Sequence, residues 1–84
     1  MAEEKLIGKV AHYYGKAGVA IIELAGGLKL GQSLHFKGAT DDFTQIVNQM
    51  QYEHRDISEG KKGQQVGIKV EQKAHENDQV FVVE

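Results

Sequence analysis

Short runs of alternating apolar and polar residues, separated by glycines, follow one another along most of the chain. A period of two is typical of β-strands with one face buried and the other in water, because successive side chains point to opposite faces. Each run has the length of an ordinary strand. The predicted strands are Leu6–Tyr14, Val19–Leu24, Gln32–Lys37, Gln64–Gln72 and Gln79–Val83.

The polar positions within these runs indicate which side chains should form the core. In the segment 19–24, placing Glu23 in water turns the alternate residues inward. In the segment 32–37, the same reasoning turns His35 outward and its two neighbours inward. The residues predicted to face the core in these two strands are Ala20, Ile22, Leu24, Leu34 and Phe36.

Glycines mark the predicted turns. The chain has 10 glycines and no proline, and it contains no serine-rich or single-charge block that would indicate a linker. The pair Gly26-Gly27 can supply the positive φ angles that a tight hairpin turn requires. Gly31, Gly38 and Gly63 are predicted to lie in similar turns.

The stretch "TDDFTQIVNQMQYEH" fits two structures. Its apolar residues recur at i, i+3, i+4 and i+7, which is the pattern of an amphipathic helix. These residues are Phe43, Ile46, Val47 and Met50. Thr40 or Asp41 is available as the N-cap of such a helix. In the competing strand, Thr44, Ile46 and Met50 share one face.

Length and composition indicate a single small domain over residues 1–84. A chain of 84 residues buries only about 60–65% of the surface it exposes when unfolded, so a deep internal active site is not expected. The net charge of −2 provides no overall attraction to nucleic acid or to a membrane surface. The absence of cysteine is compatible with a reducing cytoplasm. Without an export signal or a long apolar run, we expect a cytoplasmic protein that does not bind membranes.

Motifs for catalysis and for metal binding are weak. The stretch "GKAG" lacks the spacing and the following Ser or Thr of a phosphate-binding loop. Ser33 and His35 can share a strand face as nucleophile and base, but no orienting carboxylate can be assigned to them. The four histidines have no spacing typical of a metal site. We therefore expect no catalytic residue, no metal and no cofactor.

The most suggestive local stretch is "AHYYGKAG", near the end of the first predicted strand. It combines a histidine and two tyrosines, which offer stacking surfaces, with a lysine, as a site for single-stranded nucleic acid or an extended peptide does. Tyrosines in this position also serve to cover the edge of a core. A basic pair in "EGKKGQQ" is a second candidate. The candidate partner-binding residues are His12, Tyr13, Tyr14, Lys16, Lys61 and Lys62.

Several stretches together resemble a known domain. The segments "IGKV", "GVAIIEL", "LKLGQSLHFKG", "MQYEHRDISEGKKGQQVGIKV" and "NDQVFVV" resemble the second domain of translation elongation factor Tu and its relatives. The same pattern is similar to the small C-terminal barrel of the collagenase-like peptidase family, some of whose relatives are implicated in RNA modification. The resemblance implies an all-β fold, a small closed, mostly antiparallel Greek-key barrel of about six strands.

The implied barrel decides between the two structures for the ambiguous stretch. It favours a strand over Gln45–Tyr52, with a helical turn over Asp41–Thr44. Two positions depart from the family pattern: Gln32 stands where aspartate is frequent, and Asn77 stands where glycine is frequent. Asparagine tolerates the left-handed conformation, but an aspartate contact at position 32 is lost.

Neither resemblance transfers an activity to this chain. In elongation factors a separate nucleotide-binding domain hydrolyses GTP, and in the peptidase family the catalytic region precedes the barrel. We therefore expect a non-enzymatic binding module that binds no GTP. The first hypothesis is a stand-alone translation elongation factor-like barrel that docks on a translation component, either RNA or protein.

The alternative hypothesis is an accessory subunit. It would supply the C-terminal barrel to a separately encoded collagenase-like peptidase or RNA-modifying enzyme. Under either hypothesis the partner is a protein or a ribonucleoprotein. The net negative charge makes any RNA contact weak or local.

Overall fold

Residues 4–39 and 42–83 of the chain are described by the structure, a computed structural model. They form ten β-strands and no helix, so the described residues contain no helix able to cross a membrane. The strands are β1 (Glu4–Tyr14), β2 (Val19–Leu24), β3 (Leu28–Lys29), β4 (Ser33–Lys37), β5 (Asp42–Ile46), β6 (Met50–Tyr52), β7 (Arg55–Asp56), β8 (Glu59–Gly60), β9 (Gln65–Lys69) and β10 (Gln79–Val83).

Eight strands form one sheet in the order β5-β4-β10-β1-β2-β9-β6-β7, and β3 pairs with β8 in a second sheet. Every pairing is antiparallel, which confirms the predicted all-β, mostly antiparallel fold. The strand count exceeds the predicted six partly because β3, β7 and β8 have two residues each. No ladder of the described residues joins β5 to β7, so closure into a barrel stays a prediction.

The long strand β1 pairs with two neighbours and bends at two β-bulges. Its register against β10 shifts between Leu6 and Gly8, and its register against β2 shifts between Val10 and His12. A bulge adds one residue to a strand and increases the local twist. The first bulge places the sequence neighbours Ile7 and Gly8 both in buried positions.

The core lies on the inner faces of the main strands. All five side chains predicted to face it in β2 and β4 are buried, because the period of two holds along both strands. Phe36 lies directly opposite Phe43 in the ladder between β4 and β5. Their rings stack with centroids 4.8 Å apart, with Phe43 of β5 directed toward the core. His35 lies on the outer face, as predicted.

A continuous strand over Gln45–Tyr52 is wrong. The chain forms β5 and β6, and residues 47–49 between them belong to no strand. The reason is a pair of hydrogen bonds to the connection between β3 and β4. The backbone N–H of Val47 donates to the carbonyl oxygen of Gln32, and the carbonyl oxygen of Val47 accepts from the N–H of Gly31, both at 2.9 Å.

The helical alternatives for this stretch are also wrong where the structure describes it. Residues 42–44 belong to β5 and form no helical turn. Phe43 points inward whereas Ile46 is exposed, so the apolar residues of the helical pattern do not share one face. The N-cap candidates Thr40 and Asp41 lie outside the described residues.

Three turns share one hydrogen-bond arrangement: the backbone N–H of the first residue donates to a side-chain oxygen of the fourth. These turns are Lys29–Gln32, Lys61–Gln64 and His75–Asp78. The third residues, Gly31, Gly63 and Asn77, have φ of 89°, 90° and 72°, which confirms the turns predicted at both glycines and the left-handed asparagine. The positive φ predicted at Gly26-Gly27 is wrong, because β3 pairs with β8 rather than with β2 and no tight hairpin forms there.

Candidate functional site

The predicted aromatic patch lies at the hairpin between β1 and β2. His12 and Tyr14 are on the outer face, where their rings meet edge to face with centroids 4.3 Å apart. Lys16 is exposed in the turn that follows, and Nδ1 of His12 lies 3.9 Å from Oε2 of Glu76. Tyr13 instead packs against the core, because alternate residues of a strand point to opposite faces. The accessible patch therefore consists of a histidine, one tyrosine and a lysine.

The basic pair Lys61-Lys62 does not join this patch. It lies in the turn before β9, where the N–H of Gly63 donates to the carbonyl oxygen of Leu24 at 2.8 Å. Leu24 is the last residue of β2, whereas the patch lies beside Val19, the first residue. The length of β2, about 17 Å, separates the two candidate groups. The structure thus places them at opposite ends of one strand.

A groove crosses the outer face of β2, β9 and β6 next to the aromatic patch. Three adjoining cavities of about 300, 200 and 250 Å³ share lining residues and form it. Its floor lies at Gly67, where an added Cβ would contact the side chains of Val19 and Ile21 at 3.4 Å. Beside the floor, the amide of Gln51 donates to the carboxylate of Asp56 at 3.1 Å. This side of the sheet therefore presents an outer face in which polar side chains surround the apolar side chains of Tyr14, Val19 and Ile21.

His35 connects three strands on the outer face of β1, β10, β4 and β5. Its Nδ1 lies 2.6 Å from Oε2 of Glu4 in β1, and its Nε2 is hydrogen-bonded to Oδ1 of Asp42 in β5. The hydrogen bond with Asp42 is the main cause that raises the pKa of His35; burial opposes it, and Glu4 raises the pKa further. With a carboxylate at each ring nitrogen, the protonated imidazole donates two hydrogen bonds. The ring lies 6.1 Å from that of Phe81 in the intervening strand β10.

Ser33 and His35, considered above as nucleophile and base, share the outer face of β4. Both nitrogens of the imidazole are held by carboxylates, so neither accepts a proton from the serine hydroxyl in this arrangement. Over residues 4–39 and 42–83, no three His, Cys, Asp or Glu side chains are grouped so that they could hold a metal ion.

Sequence reasoning missed an apolar surface on the outer face of β1, β10, β4 and β5, which we call the apolar face. Its members are Leu6, Ile46, Phe81 and Val83. Leu6 and Ile46 are 49% and 51% exposed, and the other two are half-buried. The sequence does carry a signal for this surface. The run "VFVV" has no polar residue at alternate positions, which indicates a strand that is apolar on both faces.

Comparison with curated proteins relates the chain to peptidases, although no protein-family model matches it. An uncharacterized protease of Methanocaldococcus jannaschii is 37% identical over 78 residues, which cover 92% of this chain and 19% of the protease. A collagenase of Porphyromonas gingivalis is 28% identical over 81 residues, which cover 94% of this chain and 22% of the collagenase. The chain thus spans about a fifth of the length of these relatives.

Two crystal structures have the same fold. Both contain the C-terminal domain of a U32 peptidase-like protein from Geobacillus thermoleovorans, one of them as the selenomethionine variant. The first superposes with a TM-score of 0.87 at 20% identity and covers 93% of this chain and 91% of that domain. The selenomethionine variant gives a TM-score of 0.86 at the same identity, over 90% of this chain and 96% of the domain.

These comparisons correct the first functional hypothesis. A stand-alone translation elongation factor-like barrel docking on a translation component is wrong, because the relatives are a protease and a collagenase and the matching structures come from a peptidase-like protein. The strand and glycine pattern behind that hypothesis describes a fold, and one fold serves unrelated functions. The chain is homologous to a segment of the collagenase-like peptidases, and its fold is that of the C-terminal domain of a U32 peptidase-like protein.

Proposed function

We propose that this chain is a non-catalytic module that docks on the catalytic region of a collagenase-like peptidase and takes the place of its C-terminal domain. The observation that supports this most is the match to the domain from Geobacillus thermoleovorans, at a TM-score of 0.87 over 93% of this chain and 91% of that domain. The superposition covers nearly all of both chains, so the structural similarity extends over the whole domain.

The lengths of the relatives support the same role. The homologous stretch makes up 19% of the protease from Methanocaldococcus jannaschii, so about four fifths of that protein remain to hold a catalytic region. A separately encoded peptidase without this stretch would use the chain as an accessory subunit. The chain itself would supply binding rather than bond cleavage. Its partner is then a protein, and any contact with RNA is weak and local.

Closure of the sheet into a barrel is part of the proposal. β5 and β9 are not neighbours in the sheet order, yet the amide of Gln45 in β5 donates to the carbonyl oxygen of Lys69 at 2.9 Å. The Oε1 atom of Gln45 also accepts from the backbone N–H of Glu71 at 3.0 Å. These two hydrogen bonds support a barrel whose seam is joined by a side chain. A closed module has no free strand edge there and offers its outer face to a partner.

Direct binding tests the proposal. The protease from Methanocaldococcus jannaschii, shortened by its homologous stretch, is titrated with the chain in a calorimeter at about 0.05 M and about 0.5 M salt. We expect a complex of one chain per protease with similar affinity at both salt concentrations, as for an apolar protein interface. Contact through RNA would instead weaken steeply with salt.

The intact protease is the matched control for this titration. It retains its own copy of the domain, so its docking surface should already be covered and its affinity for the chain should be much lower. The absence of a complex between the chain and the shortened protease at about 0.1 mM would contradict the proposal.

A further inference from the structure

The register of three antiparallel ladders assembles the apolar face. Leu6 of β1 pairs with Phe81 of β10. On the next row, Ser33 of β4 pairs with Val83 on one side and with Ile46 of β5 on the other. Residues directly opposite each other in such a ladder point to the same face of the sheet. The four apolar side chains therefore lie on one outer face, with Ser33 between Val83 and Ile46, although they come from three strands that are distant in sequence.

The apolar face differs in composition from the outer face of β2, β9 and β6. Leu6 and Ile46 are two of the four large apolar side chains that the described residues leave strongly exposed. On the other side, Tyr14 is 52% exposed and Val19 and Ile21 are half-buried, but they lie beside the exposed polar side chains of Gln51, Gln65 and Lys69. A contiguous exposed apolar patch with polar surroundings marks an interaction surface more often than scattered apolar residues do.

A cavity of about 310 Å³ lies beside Leu6 at one side of the apolar face. Leu24 and Ala25 line it together with Leu6, and so do the cross-strand neighbours Lys9 and Glu23. Protein interfaces concentrate their binding energy where an anchoring side chain of one partner fills a pocket of the other. The face therefore offers both a flat apolar area and a place for an anchor.

The charged side chains on the apolar face are paired with one another. Both nitrogens of His35 have carboxylate partners, Glu4 and Asp42, and such pairing lowers the cost of covering charged groups. Lys37 lies opposite Asp42 in the ladder, so the two carboxylates are balanced by two basic side chains. A surface that is apolar and electrically balanced fits an apolar protein surface better than it fits nucleic acid.

The start of β1 indicates which part of a peptidase meets this surface. A C-terminal domain is preceded in its own chain by the rest of the protein, which enters the fold through the first strand. In this chain the first described residue, Glu4, pairs with Val83 of the apolar face. The catalytic region of a peptidase with this domain therefore arrives beside the apolar face.

From these observations we infer that the apolar face, with the cavity beside Leu6, is the surface on which the catalytic region of a collagenase-like peptidase docks. The inference rests on the proposed function and adds to it the side of the sheet that makes the contact. The opposite face, which carries the groove at Gly67, then remains free in the complex.

Two variants with the same change of charge test this inference in the titration described above. The first combines Leu6→Lys with Ile46→Lys and places two ammonium groups on the apolar face. Both side chains are about half exposed, so the fold should tolerate the change. The control combines Gln51→Lys with Gln65→Lys on the opposite face. If thermal unfolding shows that the first variant does not fold, Leu6→Thr with Ile46→Thr replaces it, since threonine favours strands.

We expect the apolar-face variant to lower the affinity for the shortened protease by at least about tenfold, and the control to remain within about twofold. Equal affinities of both variants and the unchanged chain would overturn the inference and leave the proposed function intact. If the control variant alone lowers the affinity, the contact lies on the opposite face, and the inference is overturned as well. If the unchanged chain does not bind, the proposed function fails and the inference fails with it.

Discussion

Gln45 joins β5 to the last residue of β9 by donating a hydrogen bond from its side-chain amide to the carbonyl oxygen of Lys69 at 2.9 Å. Its own carbonyl oxygen accepts a hydrogen bond from the backbone N–H of Glu71 at 3.0 Å. β5 lies at one end of the sheet order, and among the described residues its ladder partner is β4. A single side chain thus satisfies two backbone groups, one at the end of β9 and one just after it, although β9 is remote from β5 in the sheet order.

Replacing Gln45 by methionine should destabilise the protein by about 1–3 kcal/mol. Methionine has a similar length but makes neither hydrogen bond, and each intramolecular hydrogen bond contributes about 0.5–1.5 kcal/mol net. Urea denaturation measures the free energy of unfolding. Gln65→Met is the matched control, because Gln65 is exposed on the outer face of β9. Equal stability of the two variants would mean that the two hydrogen bonds of the Gln45 side chain do not stabilise the position of β5.

Local alternation explains why parts of the fold are predictable to the residue. β2 and β10 begin and end where the sequence predicts, since the period of two depends only on neighbouring residues. The inward positions Ile22 and Phe36 follow from the same rule. The left-handed conformations at Gly31 and Asn77 are also predictable, because few residue types adopt them at low cost.

Contacts between distant segments explain what the sequence does not reveal. The break after β5 depends on the hydrogen bond from Val47 to Gln32, and no local pattern announces that bond. The candidate site is affected in the same way. Leu6 and Ile46 become part of one surface only because β10 and β4 lie between their strands. The helical pattern instead assigns Ile46 to a buried face.

Replacing Ile22 by alanine tests the assignment of inner and outer faces. Ile22 is fully buried in β2, so the change should destabilise the protein by about 2–5 kcal/mol through lost burial and an unfilled cavity. Ile46→Ala removes the same atoms from a side chain that is 51% exposed and should cost well under half as much. Thermal or urea denaturation compares the two variants. Similar losses of stability at both positions would contradict the assigned faces.

The hairpin between β6 and β7 should become more stable when its turn residues are exchanged. Glu53 and His54 have φ of 52° and 65°, and two consecutive positive φ values are the signature of a turn that favours Asn-Gly. Left-handed backbone costs an ordinary residue roughly 1–2 kcal/mol. The double variant Glu53→Asn with His54→Gly should therefore raise the free energy of unfolding by about 1–2 kcal/mol.

Alanine at both turn positions is the control for this gain in stability. Glu53→Ala with His54→Ala removes the two polar side chains but keeps both β-carbons, so it should give little relief. The comparison is made by urea denaturation at one pH. If both double variants stabilise the hairpin equally, the side chains rather than the backbone conformation are the source of the effect.

The bridge from His35 to Glu4 and Asp42 should make stability depend on pH in one direction. The hydrogen bond with Asp42 is the main cause that raises the pKa of His35 in the folded protein; burial opposes it, and Glu4 raises the pKa further. In the unfolded chain a histidine titrates near pH 6.5. The stabilising contribution is therefore fully present below about pH 6.5 and is lost as the pH rises through the folded-state pKa.

Urea denaturation of the unchanged protein and of His35→Gln, from about pH 5.5 to about pH 9, measures this contribution. The difference in free energy of unfolding should be about 1 kcal/mol or less at the acidic end, because the side chain of Asp42 is 72% exposed and solvent screens the pair. It should shrink toward the alkaline end, since the neutral ring donates only one hydrogen bond. His12→Gln, whose partner Glu76 lies 3.9 Å away, is the matched control for the loss of an exposed imidazole. A difference for His35→Gln that grows with pH would contradict the bridge, because the folded state would then favour the neutral imidazole.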